Sequence, residues 1–128
     1  MTDVELPPEL RAFLYACVDA VEQAEIIVTL HASDGSCTAG TLGRELGMPD
    51  TIARHHLETL VARGLLQTVV RGELFYRYAP KTPELQRLAD ALCESWGHSR
   101  SAVLRFIATN PRSSMRSFSD AFRLRKKE

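Results

Sequence analysis

A chain of 128 residues, 45% apolar and 25% charged, is long enough for one core and too short for two ordinary domains. No run nears the roughly 18–20 consecutive apolar residues of a membrane span, and no basic stretch followed by an apolar one opens the chain, so a soluble cytoplasmic protein is expected. The 16 basic and 16 acidic residues cancel, but unevenly: residues 1–50 hold two bases against nine acids, residues 51–111 eight against five, and residues 112–128 six against two.

From Glu9 to His31 the apolar residues Leu10, Phe13, Leu14, Cys17, Val18, Val21, Ile26, Ile27, Val28 and Leu30 recur at helical spacing behind Pro7-Pro8. The pattern predicts an N-terminal helix over 9–31, either continuous or jointed near Ala20. Its second half is apolar on more than one side, which suits a central core helix or a contact with a second subunit. Thr38 to Leu46 forms a short amphipathic helix with Leu42 and Leu46 inward and Thr38 as its cap. Gly47-Met48-Pro49 makes the turn, because proline removes a backbone donor and disfavours helix in the residue before it. Ala53, His56, Leu57, Leu60 and Val61 then mark one inward face of a helix over 50–63 that stops at Gly64. Leu66, Thr68 and Val70, followed by Leu74, Tyr76 and Tyr78, alternate at period two about Arg71-Gly72-Glu73, which predicts a β-hairpin.

After Pro80 and Pro83, the residues Leu85, Leu88, Leu92, Trp96, Val103, Leu104 and Ile107 predict a C-terminal helix over 84–110, with Gly97 as the expected kink. Beyond Pro111 the tail over 112–128 places Met115, Phe118 and Phe122 on one side, with Arg112, Arg116, Arg123, Arg125, Lys126 and Lys127 around them. A small basic amphipathic helix is expected there. It could dock on the domain, grip phosphates, lie on a membrane surface or fit a groove on a protein partner. The fold class that follows is mainly α with a small β-hairpin, as a single domain over 1–128: a helix-turn-helix plus wing over 38–79 between long N- and C-terminal helices.

The residues Leu46-Gly47-Met48-Pro49, His56-Leu57 with Leu60, and Gly64-Leu65-Leu66 resemble MarR- and ArsR-type bacterial winged-helix regulators. The segments LRAFLYACVDAVEQAEIIVTL and SFSDAFRLRKK are similar to parts of a group of small bacterial proteins with no assigned activity. The first resemblance implies a regulator of transcription that lays the 50–63 helix in the major groove of duplex DNA and the hairpin alongside. Outer positions of that helix supply the candidates: Arg54 and His55 for base edges, Thr51 for phosphate, with Glu58 on the same face. Arg63 and the wing arginines Arg71 and Arg77 are the further phosphate candidates. Four arginines are few for a monomer, so a homodimer through the N- and C-terminal helices is expected. The alternative is a winged-helix module that docks another protein and never touches DNA. Acids interleaved with the arginines would favour it.

ArsR-type relatives often bind metals, but His31, Cys37, His55, His56 and His98 fall at no ligand spacing, so no metal or other cofactor is expected. Cys17 and Cys93 sit on apolar helical faces where thiols are inert, and no Cys-x-x-Cys pair exists. There is no phosphate-cradling glycine loop, no Gly-x-Ser-x-Gly and no paired carboxylates, so the chain does not read as an enzyme.

Overall fold

The computed structural model describes residues 6–33 and 35–109. The basic tail expected over 112–128 lies outside the described residues. Six helices and one hairpin follow in the order α1 (Pro8–Cys17), α2 (Val21–Ala32), α3 (Ala39–Leu46), α4 (Asp50–Ala62), β1 (Leu66–Arg71), β2 (Glu73–Tyr78), α5 (Pro83–His98) and α6 (Arg100–Ala108).

The N-terminal stretch is two helices. The chain is extended at Val18 and Ala20, and buried Val18 turns into the core between them. Two polar groups settle the break. Gln23, in the first turn of α2, reaches back to accept the Asp19 N–H at 3.0 Å, and Arg63 donates to the Cys17 carbonyl at the end of α1 at 2.6 Å. The C-terminal stretch is also two helices, a correction to the single helix over 84–110. Gly97 stays inside α5, and the chain turns two residues later at Ser99. The turn brings Val103 and Ile107 of α6 back into the core beside α1, α2 and α5. A straight helix would have left both in water.

α2 is the centre of the molecule. Ala24, Ile26, Ile27 and Leu30 are all buried, and the helix packs on α4, α5, α6 and β2. Around it, Leu10, Leu14, Leu42, Leu57, Leu60, Leu65 and Leu92 complete one core.

Each element that presents the candidate site starts or stops on identifiable chemistry. Thr38 caps α3 by accepting the Thr41 N–H at 3.2 Å, and Gly47 ends it at φ 74°. Gly64 ends α4 at φ 82°, with the Leu65 N–H bonded back to the Leu60 carbonyl at 3.1 Å. The hairpin pairs Leu66 with Tyr78, Thr68 with Tyr76 and Val70 with Leu74, and turns at Gly72. Cys37 exchanges backbone hydrogen bonds with Tyr76 at 2.8 and 3.0 Å, which ties the lead-in of α3 to β2. The base of the hairpin is closed by Ala79 N–H to Leu65 O and Lys81 N–H to Gly64 O.

Where α3 crosses α4, Gly43 leaves no room for a side chain. A Cβ there would stand 2.7 Å from the Met48 carbonyl oxygen and 3.6 Å from the Ala53 Cβ. Backbone cannot move aside as a flexible side chain could. Gly43→Ala should therefore destabilise the fold by about 1–3 kcal/mol through overpacking, read as a lower urea midpoint with an unchanged slope.

Candidate nucleic-acid interface

α4 buries Ala53, Leu57 and Leu60 and turns Thr51, Arg54, His55 and Glu58 to solvent. The 3.6-residue period does this, since these four recur within one outward arc. Arg54 has Asp50 one turn before it and Glu58 one turn after it on the same face. Acids are thus interleaved with the helix's exposed arginine.

The hairpin divides the remaining bases. On one side a cleft of about 450 Å³ is walled by the first turn of α3, by Arg44, by Asp50 and Arg54 of α4, and by Glu73, Leu74 and Tyr76 of β2. On the other, a cleft of about 830 Å³ is lined by Val69, Arg71, Phe75, Arg77 and Tyr78 together with Ser33, Gly35 and Ser36 of the α2–α3 loop. Arg54 thus faces one cleft, while Arg71 and Arg77 face the other. Arg77 is further tethered to Gln67, its cross-strand partner, by a 2.8 Å hydrogen bond.

Arg63 is placed elsewhere. It lies nine residues beyond Arg54, half a turn around the helix, and its guanidinium bonds the Cys17 carbonyl at 2.6 Å, Gln23 Oε1 at 3.2 Å and the Asp19 carboxylate at 3.0 Å. With Arg63 20% and Asp19 16% exposed, this ion pair is largely removed from water. The side chain fastens α4 to the α1–α2 junction, which takes Arg63 out of the set available to a ligand. Arg44 joins Arg54 instead. Its sequence context reads only as the polar face of α3, and the close α3–α4 crossing at Gly43 is what brings it to the cleft.

His56 points inward, with Nδ1 3.3 Å from Gln23 Nε2. Burial is the main cause that holds its pKa below the ordinary histidine value; His55 and Arg63 push the same way, against Glu22 and Asp19. Tyr76 is 1% exposed, and burial and then Glu58 push its hydroxyl up, with Arg54 opposing. On the far side of the hairpin base, Asp90 of α5 accepts from Tyr78 at 2.8 Å and meets His31 Nε2 at 3.1 Å. Burial and the Asp90 charge push the Cys93 thiol up to about 12, so it carries no thiolate at neutral pH. Among the described residues no group of three or more His, Cys, Asp or Glu side chains could hold a metal ion, and no helix is long and apolar enough to cross a membrane.

No protein-family model matches the chain, and no curated protein matches it in sequence. A solved structure does: the transcriptional regulator Tm0710 from Thermotoga maritima superposes with a TM-score of 0.53 over 93% of this chain and 84% of that one, at 15% identity. The fold is that of a winged helix, mainly α with a two-stranded antiparallel hairpin. At that identity the likeness concerns the fold alone, and it agrees with six helices around a two-stranded antiparallel wing.

Two outcomes follow from the Gln23 network. Arg63→Ala removes the guanidinium bonded to a mostly buried carboxylate and a helix-terminal carbonyl, so unfolding free energy should drop by about 2–3 kcal/mol. His56 contributes a pH dependence whose sign is fixed by its lowered folded value. Above the unfolded histidine value of about 6.5 neither state binds the proton. As pH falls through that value the unfolded chain binds it first, and stability declines until the lowered folded value is passed. Denaturation midpoints from pH 8 to pH 5 should fall in the wild type and fall less in His56→Asn.

Proposed function

We propose that the protein is a cytoplasmic DNA-binding transcriptional regulator that reads duplex DNA with α4 and flanks it with the β1–β2 wing. The observation that carries this reading is the outward arc of Thr51, Arg54, His55 and Glu58 on a helix anchored at its other end by Arg63. Arginine can take guanine O6 and N7 with two hydrogen bonds, and exposed histidine and threonine can meet bases or phosphates. Arg71 and Arg77 on the wing, and Arg44 on α3, supply phosphate contacts. The fold shared with a transcriptional regulator supports the same reading.

The functional unit we propose is a homodimer joined through the N- and C-terminal helices. Support comes from an apolar groove of about 410 Å³ between α1 and α5, where Ala12, Phe13, Ala16, Leu85 and Leu88 line a depression crossed at its rim by the 2.7 Å Arg87–Glu9 ion pair. Two-fold pairing doubles a small set of arginines, which is what a modest electrostatic term requires. The basic tail over 112–128 is a second docking element, for a protein partner.

A rival reading has its own support. Asp50, Glu58 and Glu73 stand among Arg44 and Arg54, and such alternation suits a protein-docking module better than a phosphate surface. Selection of genomic fragments at moderate salt, followed by anisotropy titrations on the enriched duplex, separates the two. On the DNA reading, Arg54→Ala should weaken binding by about 1–3 kcal/mol and relax preference at one base pair, whereas Arg71→Ala should weaken all sequences alike and lower the salt slope by about 1. Absence of enrichment, or a salt slope near zero, would transfer the assignment to the docking module.

A further inference from the structure

The cleft between the first turn of α3 and the wing contains an unanswered donor. Tyr76 is 1% exposed, it lines the cleft, and its hydroxyl is shut off from solvent with no hydrogen-bond partner among the described residues. A buried hydroxyl without a partner is a standing cost that native proteins rarely tolerate, and it is commonly relieved by a ligand or a water. The same cleft holds other donors. Thr38 takes the Thr41 N–H on its side chain and the Leu42 N–H on its carbonyl, while the first two amides of α3, those of Ala39 and Gly40, have no acceptor within the helix. Arg44 reaches back along the helix toward Gly40, with Nη1 3.9 Å from where a Cβ of Gly40 would sit. Arg54 lines the opposite wall.

We propose that this cleft is a phosphate-binding site, in which the amides of Ala39 and Gly40 and the guanidinium groups of Arg44 and Arg54 hold one phosphate group and a shift of the side chains over Tyr76 lets its hydroxyl donate to the same group. Asp50 and Glu73 line the same cleft and offset the two arginines, so long-range attraction is weak and directed hydrogen bonds carry the binding. A volume of about 450 Å³ exceeds one phosphate group and leaves room for the body that bears it. That body is either the backbone of a nucleic acid or a small phosphorylated compound. The site shares Arg44 and Arg54 with the proposed DNA surface but does not depend on that assignment.

The test is amide NMR of the full chain, titrated with sodium phosphate and, in parallel, with sodium chloride at matched ionic strength. Saturable shifts of the Gly40 and Ala39 amides with phosphate alone are expected. Tyr76→Phe should weaken phosphate binding about tenfold, the worth of one hydrogen bond to a charged group. In phosphate-free buffer its melting temperature should equal or exceed that of the wild type, because a group without a partner is removed. Shifts no different from those in chloride would overturn the proposal. So would a Tyr76→Phe variant that melts lower than the wild type while binding phosphate equally well, since the hydroxyl would then have a partner inside the protein. A dinucleotide phosphodiester and duplex DNA separate the sources: if both move the same amides and displace phosphate, the backbone is the ligand. If phosphate binds and duplex leaves those amides unmoved, a free phosphorylated compound is the ligand. Phosphate binding without any duplex binding would retain the site and remove only the DNA reading.

Discussion

Gln23 is 3% exposed, and its side chain joins the α1–α2 junction to α4. Its Oε1 accepts from the Asp19 N–H and from the Arg63 guanidinium, two groups that can only donate, so the amide has one workable orientation and Nε2 must face His56. His56 Nδ1 is then the acceptor, and the ring is neutral with its proton on Nε2. Apolar contact between α2 and α4 would permit a range of crossing angles, because it has no direction. The polar network narrows that range, and in doing so it sets how far the outer arc of α4 projects from the core. A protonated His56 would oppose donor to donor at the same point, which is the structural side of the pH dependence expected of it.

The wing has a comparable effect on the bases. Because side chains alternate across a strand, Leu74, Tyr76 and Tyr78 lie on one face of β2 and Phe75 and Arg77 on the other. Tyr76 is drawn to the α3–α4 side by burial, which forces the wing arginines toward the α2–α3 loop. A ligand contacting both Arg54 and Arg77 must therefore straddle the hairpin. Duplex DNA, about 20 Å across and carrying phosphates on two ridges, has a shape that does so, whereas a small molecule would occupy one cleft or the other.

Much of the fold was legible because it depends on local rules. The hairpin register about Gly72 follows from period-two alternation, and the ends of α3 and α4 follow from Thr38, Gly47, Pro49 and Gly64, where the backbone chemistry is decided by the residue itself. The missed features depend on partners distant in sequence. Ser99 is an unremarkable residue for a helix break, and the chain turns there because α6 gains burial by turning, whereas the joint near Ala20 was among the alternatives the apolar pattern offered. Gly97, the residue with the weaker helical propensity, is carried through inside α5 because tertiary packing outweighs about 1 kcal/mol of propensity. Within the site, Thr51, Arg54, His55 and Glu58 were readable as an outward arc of one helix. Arg63 was not readable as a structural residue, since Asp19 and Gln23 stand 44 and 40 positions away. Arg44 and Tyr76 were beyond reach for the same reason: their meeting depends on the α3–α4 crossing.

Taken together, the anchoring contacts hold α4 at both ends, through Arg63 at one and the α3 crossing at the other, and hold the wing only at its base. α4 is bonded through Arg63 and His56 toward its C-terminal half, while Thr51, Ile52 and Arg54 stand out at the other. The wing is held at its base, where Tyr78 donates to Asp90 of α5 and Lys81 bonds to Gly64, while Val70 at the tip is 77% exposed and its partner Leu74 41%. In the wing, local opening free energies are lowest at the tip, where few buried contacts hold the backbone. The roots of both elements lie against α2, and the wing is further bonded to α5 through Tyr78 and Asp90. α5 also lines the groove proposed for the second subunit. In the proposed dimer α5 would carry both the subunit contact and the root of the wing, with Asp90, Tyr78 and His31 at the joint between them.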